Sequence, residues 1–479
     1  MKLLGTLFLG IVVLFYSSEN SQLEKIKAIG ELRVITRHGP TTYYEGPNGK
    51  TGLEYELAKR FAQALGVNLQ LLVADNFDEI WQQLNTQQVH FAAAGLAISM
   101  ARKASVRFGP SYQEIAQQLV YRRDHATKKT LADFTAQRPL LVIAESNSVS
   151  SLRELTKDYP ELRWTELSDI EPTELLEQVW EKEQQYALLD STEVSQMRRF
   201  YPELEVGLEL PKQQIAWAFP QTADGDNSLY LAAVEFFRQL EETGELEQLI
   251  ERYYGHLDKV EDFNHINFRA FHNHIKTHLP KYQEYFQAVA SNYELEWQLL
   301  AAIGYQESQW EPSAVSVTGV RGLMMLTQTT AQEMGVKNRE DPFESIEGGA
   351  KYFVWLKKQI SKKIPEPDRT WFTLAAYNVG LGHLLDAREI TAQLGDNSER
   401  WVDVKKHLPK LADSTWYEQT KYGQARGNEP VQFVKNVRRF YEILVRLDSD
   451  LPKPSATSLL NTSSLSEQFL SPISTIAKN

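Results

Sequence analysis

The hydrophobic rhythm of this chain changes near residue 268, and that change governs what it can fold into. Before it, apolar runs of strand length alternate with stretches of helical spacing. Glu31–Thr36 reads as a strand and Thr51–Leu65 as a helix, with Leu53, Leu57, Phe61 and Leu65 on one side. Val67–Val73, Asp78–Leu84 and Val89–Ala94 then read as strand, helix and strand. Alternation of this kind makes an α/β sheet. After residue 268 only the helical period remains. It predicts helices over Leu279–Tyr293, Trp297–Gln309, Thr329–Met334, Gly348–Ile360, Trp371–Tyr377 and Pro430–Leu447, with a short one at Lys405–Leu411. A chain of 479 residues is too long for one core. The pattern predicts an α/β domain over residues 22–268 and a mainly α domain over 269–447, joined by a linker at His256–Arg269.

One helix carries an anomaly. Leu300, Ile303 and Gly304 sit at i, i+3 and i+4, and Glu307 falls at i+7 on the same apolar stripe. Burying a carboxylate is costly unless it is paired or protonated. Burial raises its pKa, and a carboxylic acid still neutral near pH 7 is what a general acid needs. Periodicity alone favours a Glu307 at the edge of its stripe, reaching solvent.

The words around Glu307 narrow the choice. "ES" at Glu307-Ser308, "GLMMLT" at Gly322 to Thr327 and "AYNVG" at Ala376 to Gly380 occur in that order. The C-terminal part thereby resembles the lysozyme-like lytic transglycosylases. The resemblance implies a lysozyme-like fold and cleavage of the glycan strands of peptidoglycan, with Glu307 as the single catalytic acid and base. It further implies substrate contacts from Ser308, Met324, Tyr377 and Asn378. Met325, where the family often has Gln, and Phe433, where a tyrosine is common, depart from the pattern. Ordinary glycosidases use two carboxylates, whereas one suffices when the substrate supplies the nucleophile. A hydrolysing muramidase on the same scaffold is the alternative enzyme. A solute receptor that merely docks on the wall is the alternative outside enzymes.

The first domain has its own familiar words: "GLEYELAKRFAQALGV" from Gly52, "FDEIWQQL" from Phe77, "GLAISMARKASVRFGPSY" from Gly95 and "GELEQLIERYYG" from Gly244. These resemble the periplasmic amino-acid-binding proteins, two α/β lobes joined by crossing strands with ligand between them. The resemblance places the second lobe from Leu140–Ala144 through Tyr186–Leu189, with the chain returning at Ile215–Phe219 and a helix at Ser228–Thr243. It implies that Arg102 clamps a ligand carboxylate, a task suited to a bidentate guanidinium, and that Asp190 holds an amino group. On residue type alone, Arg102 reads equally as a surface helix cation, and Asp190 reads rather more as a strand-end cap. Ala97 stands where a ligand-contacting threonine is usual. The ligand expected is an amino acid or a cell-wall peptide, and the domain is expected to regulate the enzyme.

Net charge is −12, which argues against nucleic acid as a partner. Residues 1–21 read as a signal peptide, with Lys2 before the apolar run Leu3–Tyr16. There is no cysteine, hence no disulfide and no lipid-modified N-terminal cysteine. The periplasm is the expected compartment, and the resemblance implies the inner face of the outer membrane. The histidines His272, His274 and His278 lack a metal-site pattern, so no metal or other cofactor is expected. Residues 448–479, rich in Ser and Thr, read as a disordered tail.

Overall fold

The computed structural model describes residues 21–450 except 47–48, 128, 169, 223–224, 258–264 and 317–318. The predicted signal peptide, the middle of the predicted linker and the tail beyond residue 450 lie outside the described residues. The chain divides into two compact units, Met1–Asp262 and Phe263–Asn479. Among the described residues no helix is long and apolar enough to cross a membrane.

The first unit has two lobes. Its first sheet runs in the order Asn68–Ala74, Glu31–Arg37, Phe91–Ala92, Gln213–Pro220, Val106–Ile115. The first three strands are parallel, and Gln213–Pro220 runs against Phe91–Ala92 and Val106–Ile115. The helix Leu53–Leu65 buries Leu53, Leu57, Ala58 and Phe61 on this sheet. The second lobe holds an antiparallel sheet, Tyr186–Asp190, Gln117–Arg122 and Leu204–Glu209, with a parallel pair, Leu140–Ile143 and Trp164–Leu167. The chain crosses between lobes twice. Val106–Ile115 passes through Ala116 into Gln117–Arg122, and Leu204–Glu209 returns into Gln213–Pro220. Helices Ser228–Glu242 and Glu245–Tyr254 then close the first lobe.

The second unit is helical. His265–Thr277 includes the end of the predicted linker. Gln283–Asn292, Trp297–Ser308, Pro342–Gln359, Asp368–Val379, Leu381–Gln393 and Asn428–Asp450 make its main body. Asn428–Asp450 packs along both Trp297–Ser308 and Asp368–Val379. Pro342–Gln359 begins six residues before the predicted Gly348. Asp341 caps it, accepting from the Phe343 and Glu344 amides, and Pro342 occupies the first turn. Leu381–Gln393 was not predicted.

Candidate active site

Glu307 lies in the last turn of Trp297–Ser308. That helix buries Leu300, Ala301, Ile303 and Gly304, which carries Glu307 in among apolar neighbours. Protein surrounds the carboxyl densely, and desolvation alone pushes its pKa up to about 8. Even so, the residue keeps part of its surface open. Among the described residues no hydrogen bond or ion pair reaches that carboxyl.

The helix ends abruptly. Gln309 and Trp310 both take positive φ, 56° and 63°, a region costly for residues with a Cβ. Trp310 locks the reversal: its ring is fully buried and its Nε1 donates to the Ala301 carbonyl at 2.8 Å. The chain beyond Arg321 then returns beneath Glu307 as Gly322–Leu326, with Leu323 and Met324 at 0 % exposure.

Three side chains hold this returning segment. The Ser308 hydroxyl lies 2.8 Å from the Leu323 carbonyl and 3.1 Å from that of Gly304, and donates to one or the other. The Met324 amide donates to Ser345 Oγ at 3.0 Å, and its carbonyl accepts from the Tyr377 hydroxyl at 3.0 Å. Tyr377 is buried, its pKa raised first by desolvation and then by the nearby Glu307 charge. Asn378, the next residue, is exposed.

Ser308 therefore spends its hydroxyl on backbone, and the Met324 side chain has no exposed surface with which to meet a sugar. Tyr377 is close enough to feel the Glu307 charge, but it bonds to the Met324 carbonyl. The close neighbour of Gly322 is the Arg339 carbonyl. Met325, with φ 48°, is the residue of the pair that keeps part of its surface open. The His274 and His278 rings approach to 4.4 Å, tilted by 54°, and His274 Nδ1 lies 3.3 Å from the Tyr305 hydroxyl.

The first unit has a small pocket between its lobes, lined by Arg37, Thr41, Glu54, Gly95, Asp190 and Tyr254 among others. Asp190 accepts from Gln117 Nε2 at 2.7 Å and Asn147 Nδ2 at 2.9 Å. Burial, then the Glu193 charge, raises its pKa to about 7. Arg102 does not reach this pocket as a free clamp. Its guanidinium stacks on Trp81 at 4.0 Å and pairs with Glu145 of the other lobe.

Two arginines of the first lobe thus meet glutamates of the second, since Arg37 also pairs with Glu193. The charged pocket residues missed in the sequence were Arg37 and Glu54, and with them Glu193, the partner of Arg37. Glu54 had a usable signal, because it precedes Ala58 and Phe61 on the buried stripe just as Glu307 follows Leu300. It accepts from the Gly95 amide at 2.7 Å, Trp217 Nε1 at 3.0 Å and the Tyr112 hydroxyl.

The Arg37–Glu193 pair is 3 % exposed on each side, so Glu193→Gln is expected to cost about 3–5 kcal/mol by stranding the guanidinium. Urea unfolding followed on the full chain measures this. The double change Arg37→Met with Glu193→Leu should recover most of the loss, and a Glu193→Gln chain as stable as wild type would contradict the pairing.

Residues 284–399 match the family described as transglycosylase SLT domain, and residues 32–256 match bacterial extracellular solute-binding proteins, family 3. With the folds above, these define a lytic transglycosylase that carries a solute-binding domain ahead of a lysozyme-like one. Membrane-bound lytic murein transglycosylase F of Pseudomonas fluorescens Pf-5 is 46 % identical over 88 % of this chain and 86 % of its own. The protein of that name from Saccharophagus degradans is 43 % identical over 93 % and 88 %. The chain belongs to the membrane-bound lytic murein transglycosylase F family. Among solved structures, the P235GK mutant of ArgBP from T. maritima covers 49 % of this chain and 99 % of its own, at 22 % identity and a TM-score of 0.43.

Proposed function

We propose that this protein cleaves the β-1,4 bond between N-acetylmuramic acid and N-acetylglucosamine in peptidoglycan, leaving a 1,6-anhydro end. The observation that carries the reading is the placement of Glu307: its carboxyl is enclosed by protein, keeps part of its surface open and has no cationic partner among the described residues, and desolvation pushes its pKa up to about 8. It is neutral at pH 7 and ready to donate. Glu307 protonates the glycosidic oxygen as the C1–O bond breaks, and the substrate's own N-acetyl oxygen supports the charge on C1. Glu307, now a carboxylate, takes the proton of the muramic C6 hydroxyl while O6 bonds to C1. No water is consumed, and an apolar surround favours closure over hydrolysis.

Ser308 and Met324 position the floor of the site through the Leu323 and Met324 backbone. Tyr377 fixes that floor beside Glu307, and Asn378 faces the glycan. The first unit takes a small ligand, an amino acid or a cell-wall peptide, at Asp190, and ligand binding changes turnover by its differential affinity for two lobe arrangements. Arg102 joins the ligand once Glu145 is displaced. The relatives' name, membrane-bound, and the apolar run Leu3–Tyr16 support a membrane-associated protein of the periplasm, and we assign it to the inner face of the outer membrane.

Digestion of purified sacculi by the full chain tests this. Muropeptides with anhydro ends are expected. Reducing ends one water heavier would make the enzyme a hydrolase, and intact sacculi would leave only a receptor.

A further inference from the structure

Tyr422 is 47 % exposed. A single exposed ring needs no explanation when its loop is loose, but this one is anchored. Asp386, at 2 % exposure, receives the Lys421 amide on one oxygen at 3.3 Å and the Tyr422 amide on the other at 2.8 Å. Thr420 Oγ1 accepts from the Gly423 amide at 3.2 Å. The ring itself lies on the backbone of Gly382, where a Cβ would come within 2.6 Å of Tyr422 Cδ1. His383 stands edge-on at 6.4 Å. A buried carboxylate and a missing side chain together fix a ring that stays about half open to water, with the Lys421 ammonium over it. Nothing in the acid–base chemistry uses it.

Its position gives it a use. Gly382 follows Asn378 by four residues and Tyr377 by five. A chain spans at most about 3.6 Å per residue, so Gly382 lies within about 14 Å of Asn378 and about 18 Å of Tyr377. Tyr377 in turn feels the Glu307 charge, so Gly382 lies at most a few sugar rings from a glycan seated at Glu307. The axial C–H face of a β-linked hexopyranose is apolar and slightly positive, which complements the negative face of an aromatic ring.

We propose that Tyr422, seated on Gly382, is a stacking platform for a hexosamine ring of the glycan strand, a few residues from the scissile bond. It makes the enzyme selective for long strands. The exposed Lys421 ammonium, 5.2 Å from the ring centroid, moves to the rim when a sugar arrives. The proposal rests on the assignment of Glu307 as the acid, and its test separates the two.

The full chain is assayed on long, peptide-free glycan strands and on a GlcNAc-MurNAc tetrasaccharide, which extends only about two rings to each side of a central scissile bond. Tyr422→Ala is expected to raise KM on long strands about tenfold with kcat little changed, and to leave the tetrasaccharide unaffected. Gly382→Ala should do the same with the tyrosine still present, because it lifts the ring. Tyr422→Trp should retain wild-type KM. Chitohexaose binding to the Glu307→Gln chain, measured by calorimetry, should weaken about tenfold when Tyr422→Ala is added. Wild-type KM on long strands in both Tyr422→Ala and Gly382→Ala would overturn the platform, as would equal losses in Tyr422→Ala and Tyr422→Trp. Cleavage surviving in Glu307→Gln would overturn the acid assignment instead.

Discussion

Glu307→Gln is expected to lose glycan cleavage by about 10³-fold or more, because one side chain serves both proton transfers and each is worth about 10²–10⁴. The same change should make the folded protein more stable in alkaline solution. The sign follows from linkage. The Glu307 pKa is raised by burial from an ordinary 4.5 to about 8. Below the lower value both folded and unfolded chains hold the proton, and stability is independent of this group. Between the two, the unfolded chain has lost the proton while the folded chain keeps it. Stability therefore falls as pH rises, by at most about 1.4 kcal/mol per unit for one group. Above about pH 8 both forms are ionised and the loss is complete.

Gln is neutral throughout and nearly the same shape. Urea midpoints of the two chains should coincide near pH 4 and separate by pH 9, with Glu307→Gln the more resistant. Wild-type cleavage should fall above pH 8, as the acid loses its proton before the substrate arrives. If the two chains instead keep a constant difference in midpoint from pH 4 to 9, the folded carboxyl is ionised at neutrality and the proposed acid role fails.

What the sequence revealed, and what it hid, follows one physical rule. Periodicity reports apolar faces, so an acid on such a face stands out, but for Glu307 it was the words "ES", "GLMMLT" and "AYNVG" that decided between a buried acid and one that reaches solvent. Leu381–Gln393 was not, because its buried side includes Asp386 and Thr391 beside Leu384, Ala387 and Ile390. Polar residues with internal partners blur the stripe. Asp386 is the residue that anchors Tyr422, so the same property that hid the helix built the platform.

Arg102 shows a different limit. Its place in the motif was readable, but its partner Glu145 comes from the other lobe, and local pattern carries no information on such pairings. Ser308 and Tyr377 were recognised as important, yet what they bond to, the carbonyls of Leu323 and Met324, is backbone that no side-chain motif encodes. The alternation of strand and helix in the first unit survived nearly intact, because two-sided burial of a sheet leaves a continuous apolar signature.

The backbone beneath Glu307 supplies the second large effect. Gly322 has φ +86°, and a Cβ there would fall inside the Arg339 carbonyl oxygen, with Ser345 Oγ at 3.1 Å. Gly322→Ala therefore incurs two separate costs. The left-handed backbone costs about 1–2 kcal/mol for a residue with a Cβ, and overpacking against a fixed carbonyl costs about 1–3 kcal/mol more.

Gly335 isolates the first of these, since its φ is +77° and nothing lies within 4 Å of its added Cβ. In thermal unfolding of the full chain, Gly335→Ala should lower the transition of the second unit by a few degrees. Gly322→Ala should lower it by about 6–12 °C. The distinction extends to activity. Relief of the overlap requires the Gly322–Leu326 segment or Arg339 to move, and Arg339 itself holds the Leu326 carbonyl at 2.9 Å. Either movement pulls the Leu323 and Met324 carbonyls away from Ser308 and Tyr377. Gly322→Ala should then lose kcat at temperatures where it is still folded, whereas Gly335→Ala should keep it. Equal kcat in the two would mean that the segment beneath Glu307 does not set the geometry of the reaction.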